Sequence, residues 1–323
     1  ENTPDPSVYI KFLLKWNNPK AKELLKIVAP GNAPNNGKLY FLAWTTTPWT
    51  LPGNTALAVA PEADYSVIQV GSEDNPDRLV VASALVASVI KEPHQLIATV
   101  KGDQLTGISY EKLYDPVSYN VEISSYRLSE ELNKEITTLQ PTEDFNPTII
   151  GEDFVSLEDG TGIVHIAPAF GDEDLSAGRK HGLAFVQPVD LQGIITGNYP
   201  FSGMFVKDAD ERIITDLAQK GLLYHREVYH HTYPFCWRCN TPLLYYAKES
   251  WYIQTTAVKD QLISGNQKIN WYPGYIKDGR FGEWLRNGVD WAISRERYWG
   301  TPLPFWQCEL CEHYHCVGTM AEL

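Results

Sequence analysis

The segment at residues 44–54 (WTTTPWTLPGN) constrains the fold of this chain more than any other stretch. An apolar run at 39–44 leads into it and a second apolar run at 56–60 follows it, and both runs predict buried strands. The prolines and the Pro-Gly-Asn sequence between them predict a bend. The bend opens with a row of three hydroxyl groups, on Thr45, Thr46 and Thr47.

Successive side chains of an extended segment point to opposite faces, so these threonines predict hydroxyl groups on both sides of the bend. Such a site suits a polyhydroxylated or ester-bearing ligand. Threonine is also a common strand residue, and Thr-Pro is a common way to enter a turn, so the segment taken alone is more typical of a structural role than of a binding site. By the same argument, the tryptophans that bound it, Trp44 and Trp49, are more often core residues than ligand contacts.

A second polar segment begins with the Gly-Thr-Gly turn at 160–162. It leads into a predicted strand at 163–167, which places His165 on the same face as Ile163. Pro168 ends this strand. The turn is not a dinucleotide-binding fingerprint, because a strand and not a helix follows it. A histidine on a strand is often only a hydrogen-bonded, half-buried residue.

Residues 172–181 then predict a helix whose cap and first turn carry Asp172, Glu173 and Asp174. Acidic residues are common at helix starts, where the dipole favours negative charge. The dipole should also keep the carboxyl of Asp174 ionised. Together, the two segments predict an imidazole and a carboxylate at the carboxyl end of one strand, beside a bank of hydroxyl groups. That arrangement is a suitable receptor for an α-ammonium group.

The rest of the chain is typical of a mixed α and β protein of two domains. At 323 residues and 43% hydrophobic composition it is long enough for a substantial core. We predict loops for the acidic region at 129–159 apart from one strand, and a domain boundary near residue 229. The remaining predicted strands are 7–16, 65–70, 79–81, 96–100 and 148–150, and the predicted helices are 20–27, 84–90 with Ser83 as its N-cap, and 206–221.

Composition restricts the classes of partner. No run of about eighteen apolar residues is present, so no membrane-spanning helix is predicted. The formal net charge of −13 argues against a general grip on nucleic acid, so any RNA should bind locally, by one end. The chain begins without methionine or a signal sequence, which predicts a piece of a longer protein.

Five cysteines lie in the last third of the chain, and four of them form two C-x-x-C pairs. The odd total and the paired spacing argue for a reducing compartment and metal chemistry, and against a disulfide framework. Each pair is a half-site with zinc-knuckle spacing, so the two could form one four-cysteine Zn²⁺ site or each find ligands elsewhere. The predicted ligands are Cys236, Cys239, Cys308 and Cys311.

Three segments taken together resemble the isoleucyl-tRNA synthetase family of class I enzymes: residues 44–54, residues 160–171 and residues 294–304 (SRERYWGTPLP). The match continues in register along nearly the whole chain. The valyl and leucyl relatives have a first motif similar to Thr-Thr-Arg-Pro, where this chain has Thr-Thr-Thr-Pro, and they lack the histidine that corresponds to His165.

The resemblance implies an editing site. An apolar pocket separates isoleucine from valine by only ~1–3 kcal/mol, a limit of which these synthetases are the standard illustration, so a second site hydrolyses the valine products. Matched to the family, Asp174 binds the substrate ammonium, and His165 lines the side-chain pocket and excludes the longer side chain. Thr45, Thr46 and Thr47 match residues that hold the carbonyl, the terminal ribose and the attacking water.

The same motifs supply further substrate-binding positions, and editing needs no cofactor. No serine or cysteine stands in the context of a nucleophile, so we expect a positioned water, assisted by a ribose hydroxyl, to attack the ester without an acyl-enzyme. The additional substrate-binding residues are Trp49, Asn54, Gly162, Ala167 and Pro168.

The His-x-Gly-His and Lys-Met-Ser-Lys-Ser signatures of the ATP site are missing from the sequence, so no aminoacylation is expected. The resemblance implies an α+β fold with a β-rich, barrel-like editing domain at 1–229, inserted in a class I synthetase. A mixed helical and irregular segment at 230–323 would then lead back to the Rossmann core. The implied partners are the 3′ end of tRNA(Ile) carrying valine, valyl-adenylate and the remainder of the synthetase, in a cytoplasmic monomer.

Two alternatives stay open at this level. The chain could be a zinc-stabilised tRNA-binding fragment without activity of its own, or its pocket could have changed to another amino acid. The intact threonine row and His165 argue against the second alternative. A deacylation assay separates the enzyme from the binding fragment.

Overall fold

The computed structural model describes residues 2–28, 38–71, 76–131, 134–295, 299–311 and 313–323. The chain divides into two compact units, Glu1–Ala247 and Lys248–Leu323. Within the motif at 294–304, residues 296–298 lie outside the described part. No helix in the part of the chain that the structure describes is long and apolar enough to cross a membrane.

The first unit consists mainly of strands. Its strands are β1 (Asn2–Leu13), β2 (Lys38–Thr45), β3 (Ala56–Val59), β4 (Asp64–Val70), β5 (Asp77–Ala82), β6 (His94–Lys101), β7 (Ile123–Glu131), β8 (Lys134–Pro141), β9 (Thr148–Gly151), β10 (Ile163–Ile166), β11 (Ala184–Val186) and β12 (Leu223–Thr232). Its α-helices are α1 (Pro19–Val28), α2 (Val86–Val89), α3 (Gly102–Leu105), α4 (Asp172–His181) and α5 (Val206–Gln219), and its 3₁₀ helices are Pro48–Gly53, Ser83–Leu85 and Val117–Tyr119.

Strand β2 lies at the centre of the main sheet. One of its edges pairs antiparallel with β1, while the other pairs parallel with β5 over Lys38–Phe41 and with β10 at Trp44. The path through the sheet is β6-β4-β5-β2-β10-β3-β9, and β12 extends it beyond β1. The predicted α+β fold is confirmed, with a sheet that curls into a half-barrel. Because β2 changes partner along its length, the sheet divides where its threonines begin.

Apolar runs explain this central position. Leu39, Phe41 and Leu42 are at most 1% exposed, since a strand with neighbours on both edges and both faces covered must be apolar throughout. Helix α5 covers the sheet with an apolar stripe, and Ile213 and Leu217 on that stripe are fully buried. The predicted strands at 39–44 and 56–60 and the helices at 20–27, 172–181 and 206–221 are all present.

The acidic region at 129–159 differs from the prediction. It contains the antiparallel hairpin of β7 and β8, paired from Ser124↔Pro141 to Glu131↔Lys134. Its sheet has three strands over the described residues, in the order β11-β7-β8. In this small sheet β8 is an edge strand, and an edge strand needs few apolar residues. The hydrophobic pattern from which strands are predicted is therefore weak there. The predicted strand at 148–150 is present as β9.

Ser83 is not the N-cap that the sequence suggested. It is the first residue of a 3₁₀ helix, and its hydroxyl group lies 2.8 Å from the hydroxyl of Ser66 on β4. The tertiary contact with a neighbouring strand therefore replaces the local cap.

The boundary between the units also differs from the predicted one, falling after Ala247 instead of near residue 229. Strand β12 pairs with β1 from Leu223 to Thr232, so the chain is still part of the main sheet where the composition changes. After β12, a bridge between Phe235 and Pro242 and a hydrogen bond from Ala247 N–H to Ala169 keep the chain on the first unit.

The second unit is a mixture of short helices, hairpins and irregular segments. The side chain of Trp251 stacks on Phe305, with ring centroids 4.4 Å apart, and meets Tyr314 edge-on. Its α-helices are α6 (Lys259–Gln267) and α7 (Arg280–Arg286), its 3₁₀ helices are Thr255–Val258 and Gly274–Ile276, and its strands are β13 (Tyr252–Ile253), β14 (Trp291–Ala292), β15 (Phe305–Gln307) and β16 (Tyr314–Cys316).

Candidate active site

A cavity of about 280 Å³ lies in the first unit, where β2 parts from β5 and meets β10. The end of β2, the Gly-Thr-Gly turn, strand β10 and the start of helix α4 all contribute to its walls. The lining residues are Trp44, Thr45, Thr46, Thr47, Thr50, Ser156, Asp159, Gly160, Thr161, Gly162, Ile163, Val164, His165, Ala167, Phe170 and Asp174. The structure therefore brings together the two polar segments that the sequence singled out.

All three threonines of the row line this one cavity. Strand β2 ends at Thr45, and the chain turns into the 3₁₀ helix Pro48–Gly53, so the alternation of an extended strand no longer applies. Thr45 Oγ1 accepts the backbone N–H of Thr47 at 3.1 Å, and the two hydroxyl groups lie 3.1 Å apart.

Thr50 continues this row of hydroxyl groups inward and was not among the predicted site residues. Its hydroxyl lies 3.4 Å from that of Thr47 and donates to the carbonyl oxygen of Thr47 at 2.8 Å. In a 3₁₀ helix, side chains three residues apart lie above one another, so the spacing of Thr47 and Thr50 would have revealed this contact had the bend been assigned as a 3₁₀ helix.

His165 forms the inner wall of the cavity and is 8% exposed. Its Nδ1 lies 2.8 Å from Asn54 Nδ2, and its Nε2 lies 3.1 Å from Thr50 Oγ1. The same Asn54 nitrogen donates to the carbonyl oxygen of Ala56 at 2.9 Å, which identifies it as the NH₂ end of the amide. An amide NH₂ cannot accept, so Nδ1 of His165 must be the acceptor. His165 is therefore the Nε2–H tautomer and donates to Thr50.

Both nitrogens of His165 are thus occupied by the protein. Burial lowers the pKa of His165 to about 4, and an interaction with the backbone of Thr50 opposes that effect only in part. The ring is neutral at pH 7, and neither nitrogen is free to take a proton from substrate. The arrangement makes His165 a fixed wall of the cavity instead of a general base.

Asn54 fixes the orientation of that wall. It is 7% exposed, and its Oδ1 accepts the hydroxyl of Tyr110 at 2.7 Å, while Nδ2 holds His165 and Ala56. Every polar atom of the amide therefore has a partner within the protein. Asn54 supports the site through His165 and does not line the cavity.

Asp174 lies in the first turn of α4, whose N-cap is Gly171, and lines the cavity. Its Oδ1 accepts the backbone N–H of Ala167 at 2.7 Å, which ties the helix to the end of β10. Burial raises the pKa of Asp174 to about 6, and this hydrogen bond opposes the rise. Loss of solvent thus outweighs the opposing effect of the helix N-terminus on this pKa.

No Lys or Arg is present among the described residues that line the cavity, and no described cation forms an ion pair with Asp174. At pH 7 the carboxyl is still mostly ionised, since its pKa lies about one unit lower. Asp174 is therefore an anionic group in a partly desolvated place, and no described cation balances its charge.

The Gly-Thr-Gly turn holds β10 against β5. Thr161 is 1% exposed, and its carbonyl oxygen accepts the N–H of Ala82 at 2.9 Å. The carbonyl oxygen of Gly162 accepts the hydroxyl of Tyr65 at 2.6 Å. Gly160 and Gly162 have φ angles of 69° and 70°, which L side chains rarely adopt.

Replacing Gly162 by alanine should destabilise the first unit by about 3 kcal/mol, since a non-glycine residue at positive φ is strained and overpacking adds to the strain. A Cβ there would lie 2.4 Å from the Cβ of Ala82. Gly203→Ala is the matched control, because its φ is 78° and nothing lies within 4 Å of its Cβ; it should cost only about 1 kcal/mol. Urea unfolding measures both, and equal losses would show that crowding at Ala82 is unimportant.

Besides Asn54, two further predicted substrate-binding residues lie outside the cavity. Trp49 is 3% exposed and packs edge-on against Phe170 at 5.0 Å, as a core residue. Pro168 is buried against helix α4, where a Cβ added to Gly178 would meet its ring at 3.0 Å. Gly162 and Ala167 do line the cavity, as do Trp44 and Phe170, which the sequence did not single out as ligand contacts.

Each cysteine pair provides two potential metal ligands. The structure describes Cys236 and Cys239 in the first unit and Cys308 and Cys311 in the second, all as free thiols. A hydrogen bond with Thr241 lowers the pKa of Cys239 to about 7, and backbone N–H groups lower that of Cys308. A structural zinc site needs four ligands. Within the described ranges, no group of three or more potential ligands lies together.

A model of the tRNA synthetases class I (I, L, M and V) matches residues 39–323. The chain is 49% identical over its whole length to an isoleucine–tRNA ligase of Dehalococcoides mccartyi, of which it covers 30%. It is 43% identical over 99% of its length to that of Thermus thermophilus, of which it covers 26%. The chain thus spans less than a third of the length of these curated relatives.

Among solved structures, GlLeuRS-CP1 aligns with 68% of this chain and 98% of its own at 18% identity and a TM-score of 0.49. The P. knowlesi cytosolic leucyl-tRNA synthetase editing domain aligns with 72% of this chain and 98% of its own, at 12% identity and a TM-score of 0.45. The sequence matches decide the family. The chain belongs to the class I tRNA synthetases of the isoleucine, leucine, methionine and valine group.

Proposed function

We propose that this chain is the editing part of an isoleucine–tRNA ligase and hydrolyses the ester of valine mischarged onto tRNA(Ile), with valyl-adenylate as a second substrate. The observation that carries the proposal is the cavity that an ionised carboxylate, unpaired with any described cation, lines together with a row of threonines. The choice of amino acid and tRNA is inferred from the relatives named above, and the proposed chemistry is inferred from the residues of the cavity.

Asp174 is the proposed site of the substrate α-ammonium. A carboxylate in a partly desolvated place loses solvation when ionised, and an incoming ammonium restores a partner for it. The raised pKa of Asp174 fits this role, because the carboxylate gains more from a cation than an exposed one does. Every amino acid carries this ammonium group, so Asp174 anchors the substrate without selecting among amino acids.

The threonine row is the proposed site of the reacting ester. Thr45, Thr46 and Thr47 are half-exposed at the cavity wall, and their hydroxyl groups can donate to a carbonyl oxygen or accept from water. Water adds to the ester carbonyl, the bond from that carbon to the ribose oxygen breaks, and the ribose oxygen takes up a proton. An aminoacyl ester is already activated, so orientation of the water supplies much of the rate.

His165 is the proposed limit on side-chain size. Its ring cannot move aside without breaking the hydrogen bonds to Asn54 and Thr50, so the wall that it forms is rigid. Valine fits within this wall, and isoleucine is excluded by one methylene group. A rigid wall excludes by steric overlap, which discriminates more strongly than the ~1–3 kcal/mol available from binding a methylene group.

The test is deacylation of Val-tRNA(Ile) and Ile-tRNA(Ile) by the 323-residue chain. We expect loss of valine at least ~10-fold faster than loss of isoleucine, since one methylene decides entry. Equal hydrolysis of both would contradict the size limit. If neither is hydrolysed, binding of a valyl-adenosine analogue distinguishes a pocket that needs the rest of the ligase for delivery from a zinc-stabilised RNA-binding fragment, which would not bind the analogue.

A further inference from the structure

The 3₁₀ helix Pro48–Gly53 begins in an unusual way. Its N-cap position is Thr47, a residue type that normally caps its own helix by accepting a backbone N–H. Here the Thr47 side chain makes no such bond, with φ −126° and ψ 71°, and its hydroxyl turns to Thr45 and Thr50 instead. The helix therefore lacks its local cap.

An acceptor from a distant part of the chain takes that place. Oδ1 of Asp210 accepts the backbone N–H of Trp49 at 2.9 Å, across 161 residues of sequence. Pro48 has no N–H, and the N–H of Thr50 already donates to Thr47 O, so the N–H of Trp49 is the donor at this end that needs a partner. Asp210 therefore caps the helix in place of the Thr47 side chain.

The surroundings of Asp210 show that its oxygen is committed to this role. It is 3% exposed on helix α5, which packs against the 3₁₀ helix. Lys207 on the same helix pairs instead with Asp5 on β1 at 3.1 Å, and His231 on β12 holds the other oxygen of Asp5 at 2.9 Å. Burial raises the pKa of Asp210 to about 7, so the fold tolerates a neutral group there.

We propose that Asp210 is a positioning residue of the editing site, which caps the 3₁₀ helix from helix α5 and so keeps the hydroxyl of Thr47 in the row with Thr45 and Thr50 at the cavity wall. The expected effect on kcat rests on the proposed function, whereas the capping of the 3₁₀ helix by Asp210 does not. If Asp210 could not accept from Trp49, Thr47 would be the residue at the N-cap position that could cap the helix. Its hydroxyl would then leave the row of Thr45, Thr47 and Thr50.

The experiment compares Asp210→Ala, Asp210→Asn and the matched control Asp208→Ala, which removes an exposed carboxylate from the first turn of the same helix. We expect Asp210→Ala to lower kcat for Val-tRNA(Ile) about 10-fold while KM stays within about twofold, since Asp174 still anchors the ammonium. Asp210→Asn keeps an oxygen that can accept from Trp49 and should restore kcat to within about threefold of the wild type. Asp208→Ala should leave both constants unchanged.

A second measurement does not depend on activity. Amide hydrogen exchange of the peptide covering residues 45–53 should be faster in Asp210→Ala and unchanged in Asp210→Asn. If Asp210→Ala does not fold, Asp210→Ser replaces it, because that side chain is polar but too short to reach Trp49. A folded alanine or serine variant with wild-type kcat and exchange overturns the inference, and so does an asparagine variant as impaired as the alanine one. A wild type without hydrolysis would defeat the proposed function, and exchange would still decide the role of Asp210.

Discussion

Asp174→Asn should lower kcat/KM for deacylation of Val-tRNA(Ile) about 100-fold. The amide keeps an oxygen that can accept the N–H of Ala167, as Asp174 Oδ1 does at 2.7 Å. What it loses is the negative charge opposite the substrate ammonium. A charge left unpaired in a buried site costs about 3–5 kcal/mol. Asp174 is only half-buried, so solvent keeps the loss of transition-state stabilisation at the lower end of that range, ~3 kcal/mol, which corresponds to a factor of about 100 in rate.

The control is Asp172→Asn, which neutralises an exposed carboxylate in the same first turn of α4 and should change activity less than about twofold. Thermal unfolding is measured on both variants. The fold raises the pKa of Asp174 above its usual value, so this group contributes stability below about pH 4 and loses it as the pH rises through about 6. The neutral amide should therefore be at least as stable as the wild type at pH 7.5. Wild-type activity in a folded Asp174→Asn variant would remove Asp174 from its role.

The same residue predicts the pH dependence of the wild type. Only the ionised carboxylate attracts the ammonium, so kcat/KM should rise with pH through about 6. His165 cannot produce this limb, because its pKa is lowered to about 4. Asp210, with a pKa raised to about 7, could contribute, so the profile is repeated with Asp210→Asn. A limb that disappears in that variant would assign the titration to Asp210 instead of Asp174.

His165→Ala should open the cavity to isoleucine. Removing the imidazole takes away the inner wall and enlarges the pocket by more than one methylene group. Because one methylene group already changes discrimination by about 10-fold or more, we expect hydrolysis of Ile-tRNA(Ile) to increase at least ~10-fold. Hydrolysis of Val-tRNA(Ile) should fall only a few-fold, because Asp174 and the threonine row remain. The measurement is the ratio of the two deacylation rates, and an unchanged ratio would defeat the assignment of His165 as the size limit.

This variant also carries a structural cost that must be separated from selectivity. Without the ring, the amide nitrogen of Asn54 and the hydroxyl of Thr50 each lose a buried partner, which costs about 1–3 kcal/mol apiece. Asn54→Ala is the matched comparison. It releases His165 from one side but leaves the imidazole in the cavity, so it should lower stability and relax selectivity less than His165→Ala does. Equal loss of selectivity in both would mean that the orientation of the ring, and not its bulk, excludes isoleucine.

Local sequence patterns determined much of this site. The apolar runs on either side of the threonines, the turn that precedes β10 and the acidic start of α4 all follow from rules that act over fewer than about fifteen residues. Those rules placed β2, β3, β10 and α4 correctly, and they placed His165 and Asp174 at one end of one strand. The resemblance of the motifs then supplied the amino acid and the reaction that remain our proposal.

Only the tertiary structure decided how these groups are used. It turned all three threonines to one cavity, added Thr50 to their row, and occupied both nitrogens of His165, through Asn54 at 111 residues' separation and Thr50 at 115. Trp49 and Pro168 lie outside the cavity. Burial in the fold raises the pKa of Asp174. Burial and contacts of such long range depend on which strands and helices pack together, so no local pattern in the sequence contains them. Asp210, which caps the helix of the threonines from 161 residues away, is the clearest case.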